Sequence, residues 1–228
     1  MGVPNREDLV EIYRKRAKNY DSTAGRFELF GYREGLYRKR AVEALGLEPG
    51  DTVVEIGCGT GLNLPLLQEC IGHEGKIIGV EMTDAMLEMA KQRVADEEWA
   101  NVELVHIDAA SFRFPSGIDG ILSTFVITLV PEFDAVIRDG FEALKPGKRL
   151  AILDYKVPSN WLSLSKPLLP LFLRPFGYNA NALKRKPWKS IDKYMKNTSL
   201  IEFFGGFVYI ASGERSEEAL EAELEGSA

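Results

Sequence analysis

The sequence predicts an α/β chain built on a doubly wound, mostly parallel sheet of seven strands, the last two forming an antiparallel hairpin. Short apolar runs rich in β-branched residues alternate with segments of helical period from about residue 50 to residue 156. The runs are continuously apolar, as strands buried on both faces must be. The stretch "VVEIGCGTGLNL" ends one such strand in an acid and three closely spaced glycines, where the chain should turn into a helix and a ligand should rest.

Positions 9, 10, 12, 13, 17 and 20 are apolar or aromatic, so Leu9 to Tyr20 reads as a helix. Gly35 to Leu45 reads as a second helix, stopped by Gly46. Then come strand "TVVEI", helix "TGLNLPLLQEC", strand "KIIGVEM", helix "TDAMLEMAKQRVADE" and strand "VELVHID". Strand "DGILSTF", helix "EFDAVIRDGFEAL" and strand "RLAILDY" complete the alternation. After an irregular, proline-rich stretch, "SLIEFF" and "FVYIAS" flank Gly205-Gly206, a hairpin signal. This topology brings four loops to one rim: after Ile56, Val80, Ile107 and Ser123-Thr124.

Composition narrows the classes. A chain of 228 residues with 45% hydrophobic and 27% charged residues suits one soluble α/β domain. Cys58 and Cys70 make no disulfide framework, and with two histidines, His73 and His106, no metal site is expected. The charged N-terminus is no signal peptide, and no apolar run spans a bilayer, so the expected location is cytoplasmic. The net charge of −6 is uneven: residues 161–200 carry eight Lys/Arg against Asp192 alone. That segment is a solvated surface or the contact for an anionic partner.

The glycine spacing is G-x-G-x-G at Gly57, Gly59 and Gly61, with Leu62 where a dinucleotide fingerprint wants glycine. The loop holds no lysine, so it is no phosphate cradle. Its ligand lies against backbone and is not strongly anionic. Cys58 reads as a packing residue, with no base near it in sequence.

Taken with Glu81, "HIDAASFRFP" and "LKPGKRLAILDY", the stretch "VVEIGCGTG" resembles the class I S-adenosylmethionine-dependent methyltransferases over residues 50–156. The resemblance implies a Rossmann-like fold and S-adenosylmethionine as cofactor. It implies a cofactor set of Tyr20, Glu55, Gly57, Cys58, Gly59, Gly61, Glu81, Met82, Asp108, Ala109 and Ser123. Within it, Glu55 orients the loop and the cofactor's amino group, and Glu81 takes both ribose hydroxyls, as one carboxylate can. Asp108 and the Ala109 N–H take the adenine edge, and Met82 packs on its face. No metal enters the set.

Toward the ends, "YRKRAKNYDSTAGRFELFGY" resembles the bacterial phosphatidylethanolamine N-methyltransferases and the ubiquinone/menaquinone C-methyltransferases. By that resemblance residues 1–45 form an N-terminal helical lid with Tyr20 over the cofactor, and 157–198 an acceptor-side insertion of a single domain, 1–212. Residues 213–228 form an acidic, disordered tail. The insertion mixes Trp161, Phe172 and Trp188 with Lys166, Arg174, Lys184, Arg185 and Lys186, the composition of an interfacial segment on an anionic membrane.

The expected function is therefore N-methylation of a phospholipid head-group amine at the inner membrane face. Asp154 would free the amine of its proton, and Tyr13 and Tyr20 would line the acceptor pocket with Phe27 and Tyr32. The alternatives are C- or O-methylation of a quinone-like or other small lipophilic acceptor, and a cofactor-binding protein without catalysis. A nucleic-acid acceptor does not suit an acidic chain whose fourth strand ends "LSTFVIT".

Overall fold

The computed structural model describes residues 6–21, 32–158, 177–178 and 181–216. Seven strands form one sheet: β1 (Thr52–Ile56), β2 (Lys76–Glu81), β3 (Val102–His106), β4 (Ile118–Thr124), β5 (Leu144–Tyr155), β6 (Lys196–Phe203) and β7 (Val208–Glu214). Their order is β3-β2-β1-β4-β5-β7-β6. All neighbours pair in parallel except β7, which runs antiparallel between β5 and β6. The order reverses between β1 and β4, and at that switch point the loops part and leave a crevice.

Among the described residues six α-helices accompany the sheet: α1 (Arg6–Arg16), α2 (Glu34–Glu43), α3 (Leu64–Ile71), α4 (Asp84–Asp96), α5 (Phe133–Ala143) and α6 (Pro187–Tyr194). Side chains alternate along each strand, so each strand feeds two cores. Val54, Ile56, Val80 and Ile121 pack with Val136 and Ile137 of α5 and Ile191 of α6. Val53, Ile77, Leu122 and Leu153 pack with Ala41 of α2 and Leu64, Leu67 and Ile71 of α3. The three α3 side chains are fully buried, a contribution of roughly 1.5–3 kcal/mol each. Doubly wound packing is thus what continuous apolar strands produce.

Several boundaries differ from the sequence expectation. α2 is a core helix and not part of a lid, since Tyr37, Ala41 and Val42 are buried against the sheet. β5 starts at Leu144, five residues before the expected Arg149, because its pairing with β4 begins at Ile118↔Leu144 and then slips at a bulge. β7 continues through Gly213 and Glu214, and Arg215 caps it by donating to the Glu142 and Leu144 carbonyls. These residues belong to the sheet and not to the tail; 217–228 lie outside the described residues.

Residues 159–176, most of the apolar part of the expected interfacial segment, also lie outside the described residues. Much of the basic stretch from 181 to 194 packs inward, while Lys184, Lys186 and Lys189 stay exposed. Leu183 is buried, and Trp188 stacks edge-on against Tyr209 at 5.0 Å with the Lys156 ammonium over its ring. The Arg185 guanidinium donates to the carbonyls of Thr128 (2.8 Å) and Leu129 (3.0 Å), so it braces the loop after β4. Among the described residues no helix is long and apolar enough to cross a membrane.

Candidate active site

The glycine loop leaves β1 with positive φ at Gly57 (70°), Gly59 (57°) and Gly61 (82°), a conformation that side chains resist. A Cβ on Gly57 would overlap the Val126 side chain, and one on Gly61 would come within 2.7 Å of Leu64. Gly59 is more open, its nearest neighbour being the Met86 methyl at 3.4 Å. The N–H groups of Gly57 and Cys58 both donate to the Val80 carbonyl, which fastens the loop to β2. The Cys58 thiol is buried, and burial pushes its pKa well up, so it packs and does not attack.

Above the loop lies a cleft of about 870 Å³, part of it open to solvent. Its lining includes Gly57, Cys58, Gly59 and Thr60 of the loop but not Gly61, then Glu81, Met82, Asp108, Ala109, Thr124, Phe125 and, from α1 and the turn after it, Leu9, Tyr13 and Tyr20. The expected cofactor residues at the ends of β2 and β3 therefore do converge. Glu81 is mostly buried; its Oε2 accepts from Gly59 N (3.1 Å) and its Oε1 from Thr83 N (2.7 Å). Burial raises its pKa, and those N–H groups work against the rise. Asp108 is ion-paired with Arg6 of α1, which also holds Glu132 at 2.9 Å.

Glu55 sits beneath the loop, fully buried. Its Oε1 accepts from Asn63 Nδ2 at 2.5 Å, and its Oε2 has no hydrogen-bond partner among the described residues. Burial, partly offset by Asn63 and Arg38, raises its pKa to about 7. Glu55 does not itself line the cleft; its orphaned Oε2 lies beneath the glycine loop, as an acceptor for an N–H or cation.

A network that sequence reading missed surrounds it. Arg38, buried on α2, donates through Nε and Nη2 to Glu34 Oε1 (2.9 and 2.7 Å) and through Nη1 to Asn63 Oδ1 (3.2 Å) and Thr124 Oγ1 (2.9 Å). It also lies 5.2 Å from the Phe125 ring centroid. Arg38 and Thr124 line the cleft. Ser123 does not: its side chain leaves the other face of β4, and its Oγ is buried without a partner among the described residues.

The expected catalytic residues divide. Tyr13 and Tyr20 line the cleft with ring centroids 6.2 Å apart. Burial raises Tyr20 to about 12 and Tyr13 well above the ordinary phenol value, so both are neutral donors at pH 7 and not bases. Asp154 is fully buried away from the cleft lining. It accepts from Tyr178 Oη (2.6 Å), Thr128 N (2.9 Å) and Tyr155 N (2.8 Å), a structural role that leaves it no path to an acceptor's proton. Tyr32 is buried against Tyr155, their hydroxyls 2.9 Å apart, and does not line the cleft; Phe27 lies outside the described residues.

α1 lies over this cleft. Besides Arg6–Asp108, Arg14 forms paired 2.9 Å bonds to Asp84, and Asp21 takes Thr60 Oγ1 (2.6 Å) and Arg93 (2.7 Å). A bare glycine loop, rim carboxylates and an unpartnered buried acceptor fit a cationic nucleoside better than a polyphosphate. A family model for a methyltransferase domain matches residues 47–198.

The chain belongs to the methyltransferase domain family. This methyltransferase is 28% identical over 214 residues to the demethylmenaquinone methyltransferase of Listeria welshimeri, a match covering 90% of the chain and 89% of the relative. It is 31% identical over 156 residues to the ubiquinone/menaquinone biosynthesis C-methyltransferase of Pseudomonas putida, covering 65% of this chain and 61% of the other. Its fold is similar to that of a methyltransferase from Aquifex aeolicus at 19% identity and TM-score 0.60, over 87% of this chain and 98% of that one. The methyl donor is S-adenosylmethionine.

Proposed function

We propose that the methyltransferase alkylates a ring carbon of a small lipophilic, quinone-like acceptor in its reduced form. The carrying observation is the extent of the match to the demethylmenaquinone methyltransferase, 90% of this chain. A likeness confined to the cofactor half would be shared by any methyltransferase; this one includes the ends, where acceptors are chosen. It displaces the phospholipid amine expected from sequence. The interfacial segment that supported a membrane lipid packs inward at Leu183, Arg185 and Trp188.

S-adenosylmethionine, when bound, supplies an electrophilic methyl group on a sulfonium. Glu81 would take the ribose hydroxyls, Asp108 and the Ala109 N–H the adenine edge, and Glu55 Oε2 the amino group. Leu9, Tyr13 and Leu129 line the cleft and would wall the acceptor side. Such a transfer is driven by positioning, for which effective molarities supply ~7–11 kcal/mol. Incubation with methyl-labelled donor and a total lipid extract, then chromatography, tests the reading. Label in a quinone fraction supports it; label in phospholipid alone sinks it.

A further inference from the structure

Single exposed apolar side chains are ordinary, but a contiguous group of them marks a contact surface. Among the described residues Leu36, Met89, Leu200, Ile201 and Phe204 are the large apolar side chains more than a third exposed, and all but Met89 lie at one corner. Ile201 and Phe204 belong to β6 and the turn after it, and Leu36 to the outer stripe of α2. The two elements meet at Phe203: Arg40, one turn beyond Leu36, sits 5.4 Å from that ring's centroid, and Tyr37 packs on the same ring at 4.9 Å. Phe204 has a φ of 48°, a left-handed conformation that a bulky side chain resists, yet its ring is 43% exposed. Arg33, Lys39 and Arg40 are exposed on the same stripe. The acids nearby are Glu34, held by Arg38, Glu202, held by Lys156, and Glu43. The corner is therefore apolar at its tip and cationic beside it.

It also stands on the functional rim. Tyr155 at the end of β5 pairs with Val208, and Val208 with Phe203, so the β6–β7 turn lies beside the carboxyl ends of the parallel strands. A row of rings runs inward from it: Phe204 to Tyr32 (5.7 Å), Tyr32 to Tyr155 (6.5 Å) and Tyr155 to Phe125 (4.8 Å), and Phe125 lines the cleft. We propose that this corner docks the protein on an anionic bilayer, with Phe204, Ile201 and Leu36 entering the acyl boundary while Arg33, Lys39 and Arg40 meet lipid phosphates. A second copy of the chain is the poorer occupant. A two-fold contact would set the three cations against their own copies. The irregularity in β6 between Lys196 and Ser199, where Asn197 has a φ of 49°, also blunts the edge strand against pairing. A bilayer brings the opposite charge. Docking goes beyond the acceptor reading and does not depend on it.

Sedimentation with vesicles of phosphatidylcholine alone, and of phosphatidylcholine mixed with phosphatidylglycerol, tests it without any acceptor present. Ile201→Thr with Phe204→Asn removes the apolar tip, while threonine keeps to a strand and asparagine tolerates a left-handed backbone. Arg33→Glu with Lys39→Glu reverses the charge. The wild type should sediment with the mixed vesicles, and rising salt should release part of it. Either double variant should lower its partition coefficient by about tenfold or more, and both should methylate a water-soluble demethylnaphthoquinol as the wild type does. If the wild type methylates no quinol, the acceptor reading fails and sedimentation still decides docking. Wild type left in the supernatant with mixed vesicles, equal binding to phosphatidylcholine alone, or variants that sediment like the wild type overturn the proposal. So does a wild-type dimer that I201T/F204N breaks in light scattering, since the corner would then be a subunit interface. Should a variant not fold, amide exchange on the wild type reads the same surface. Slowing in β6, its turn and the first turn of α2 on mixed vesicles supports docking, and unchanged exchange there overturns it.

Discussion

Replacing Glu55 by glutamine removes one ionisation from under the glycine loop and should change how stability and cofactor affinity depend on pH. The folded pKa of about 7 lies above the ordinary value of 4.5. Between those values the folded protein holds a proton that the unfolded chain has released, so stability falls as pH rises from 4.5 to 7 and levels off beyond. A gap of about 2.5 units corresponds to roughly 3 kcal/mol at 1.36 kcal/mol per unit. E55Q should lose that slope and be the more stable protein at pH 8. Binding should move the other way. A cationic amino group at Oε2 favours the carboxylate, so the wild type should expel a proton on binding below pH 7, with affinity falling up to about tenfold per unit. E55Q should bind more weakly at pH 8, by about 1.5–3 kcal/mol for a lost charge-assisted bond. Urea melts from pH 5 to 8, and calorimetry in buffers of different ionisation enthalpy, read both effects. Parallel pH profiles for wild type and E55Q would mean that Glu55 does not titrate in this range.

Gly57→Ala should cost both stability and cofactor binding, because a Cβ there meets Val126 in a left-handed backbone; a loss of ~2–4 kcal/mol combines strain with overpacking, and an unchanged melt would contradict it. Glu81→Ala should weaken cofactor affinity by ~1–3 kcal/mol, with Glu81→Gln intermediate, as calorimetry can measure; a wild-type Kd in either variant removes Glu81 from the ribose. Amide exchange in α1 should slow when donor is added and quicken with salt in its absence, since Arg6 and Arg14 hold α1 through half-exposed ion pairs. Exchange indifferent to donor would mean that α1 is not a lid.

The parts of the fold visible in the sequence are those set by local pattern. Strands β1, β2 and β4 are continuous apolar runs, and the glycine spacing fixes the turn, so Glu81 and Asp108 could be placed at strand ends without coordinates. Ser123 shows where local pattern stops. Strand side chains alternate faces, so at the end of β4 an error of one residue exchanges Ser123, turned away, for Thr124, turned into the cleft. Arg38 looked like one more cation on a basic helix, since its partners Asn63 and Thr124 are 25 and 86 positions away. Only the signal of an arginine on the α2 stripe with Tyr37, Ala41 and Val42 hinted at burial. Asp154 took the opposite course. A carboxylate ending β5 on the functional rim reads as a base, but Tyr178 and two backbone N–H groups claim it. The basic segment around Arg185 and Trp188 likewise matched a membrane surface in composition, while long-range carbonyl and ring partners turned those two inward.

The identity of the acceptor decides between the quinol and the phospholipid, and one measurement reaches it directly. Purified protein is given S-adenosylmethionine carrying a carbon-13 methyl group, with a reduced short-chain demethylnaphthoquinol and phosphatidylethanolamine vesicles in the same tube, and the products are read by carbon-13 NMR. Ring methylation gives one new resonance, a methyl bonded to a ring carbon, with the phospholipid unlabelled. A resonance from an N-methyl or O-methyl group in its place, or no transfer to the quinol while phosphatidylethanolamine is labelled, would contradict it.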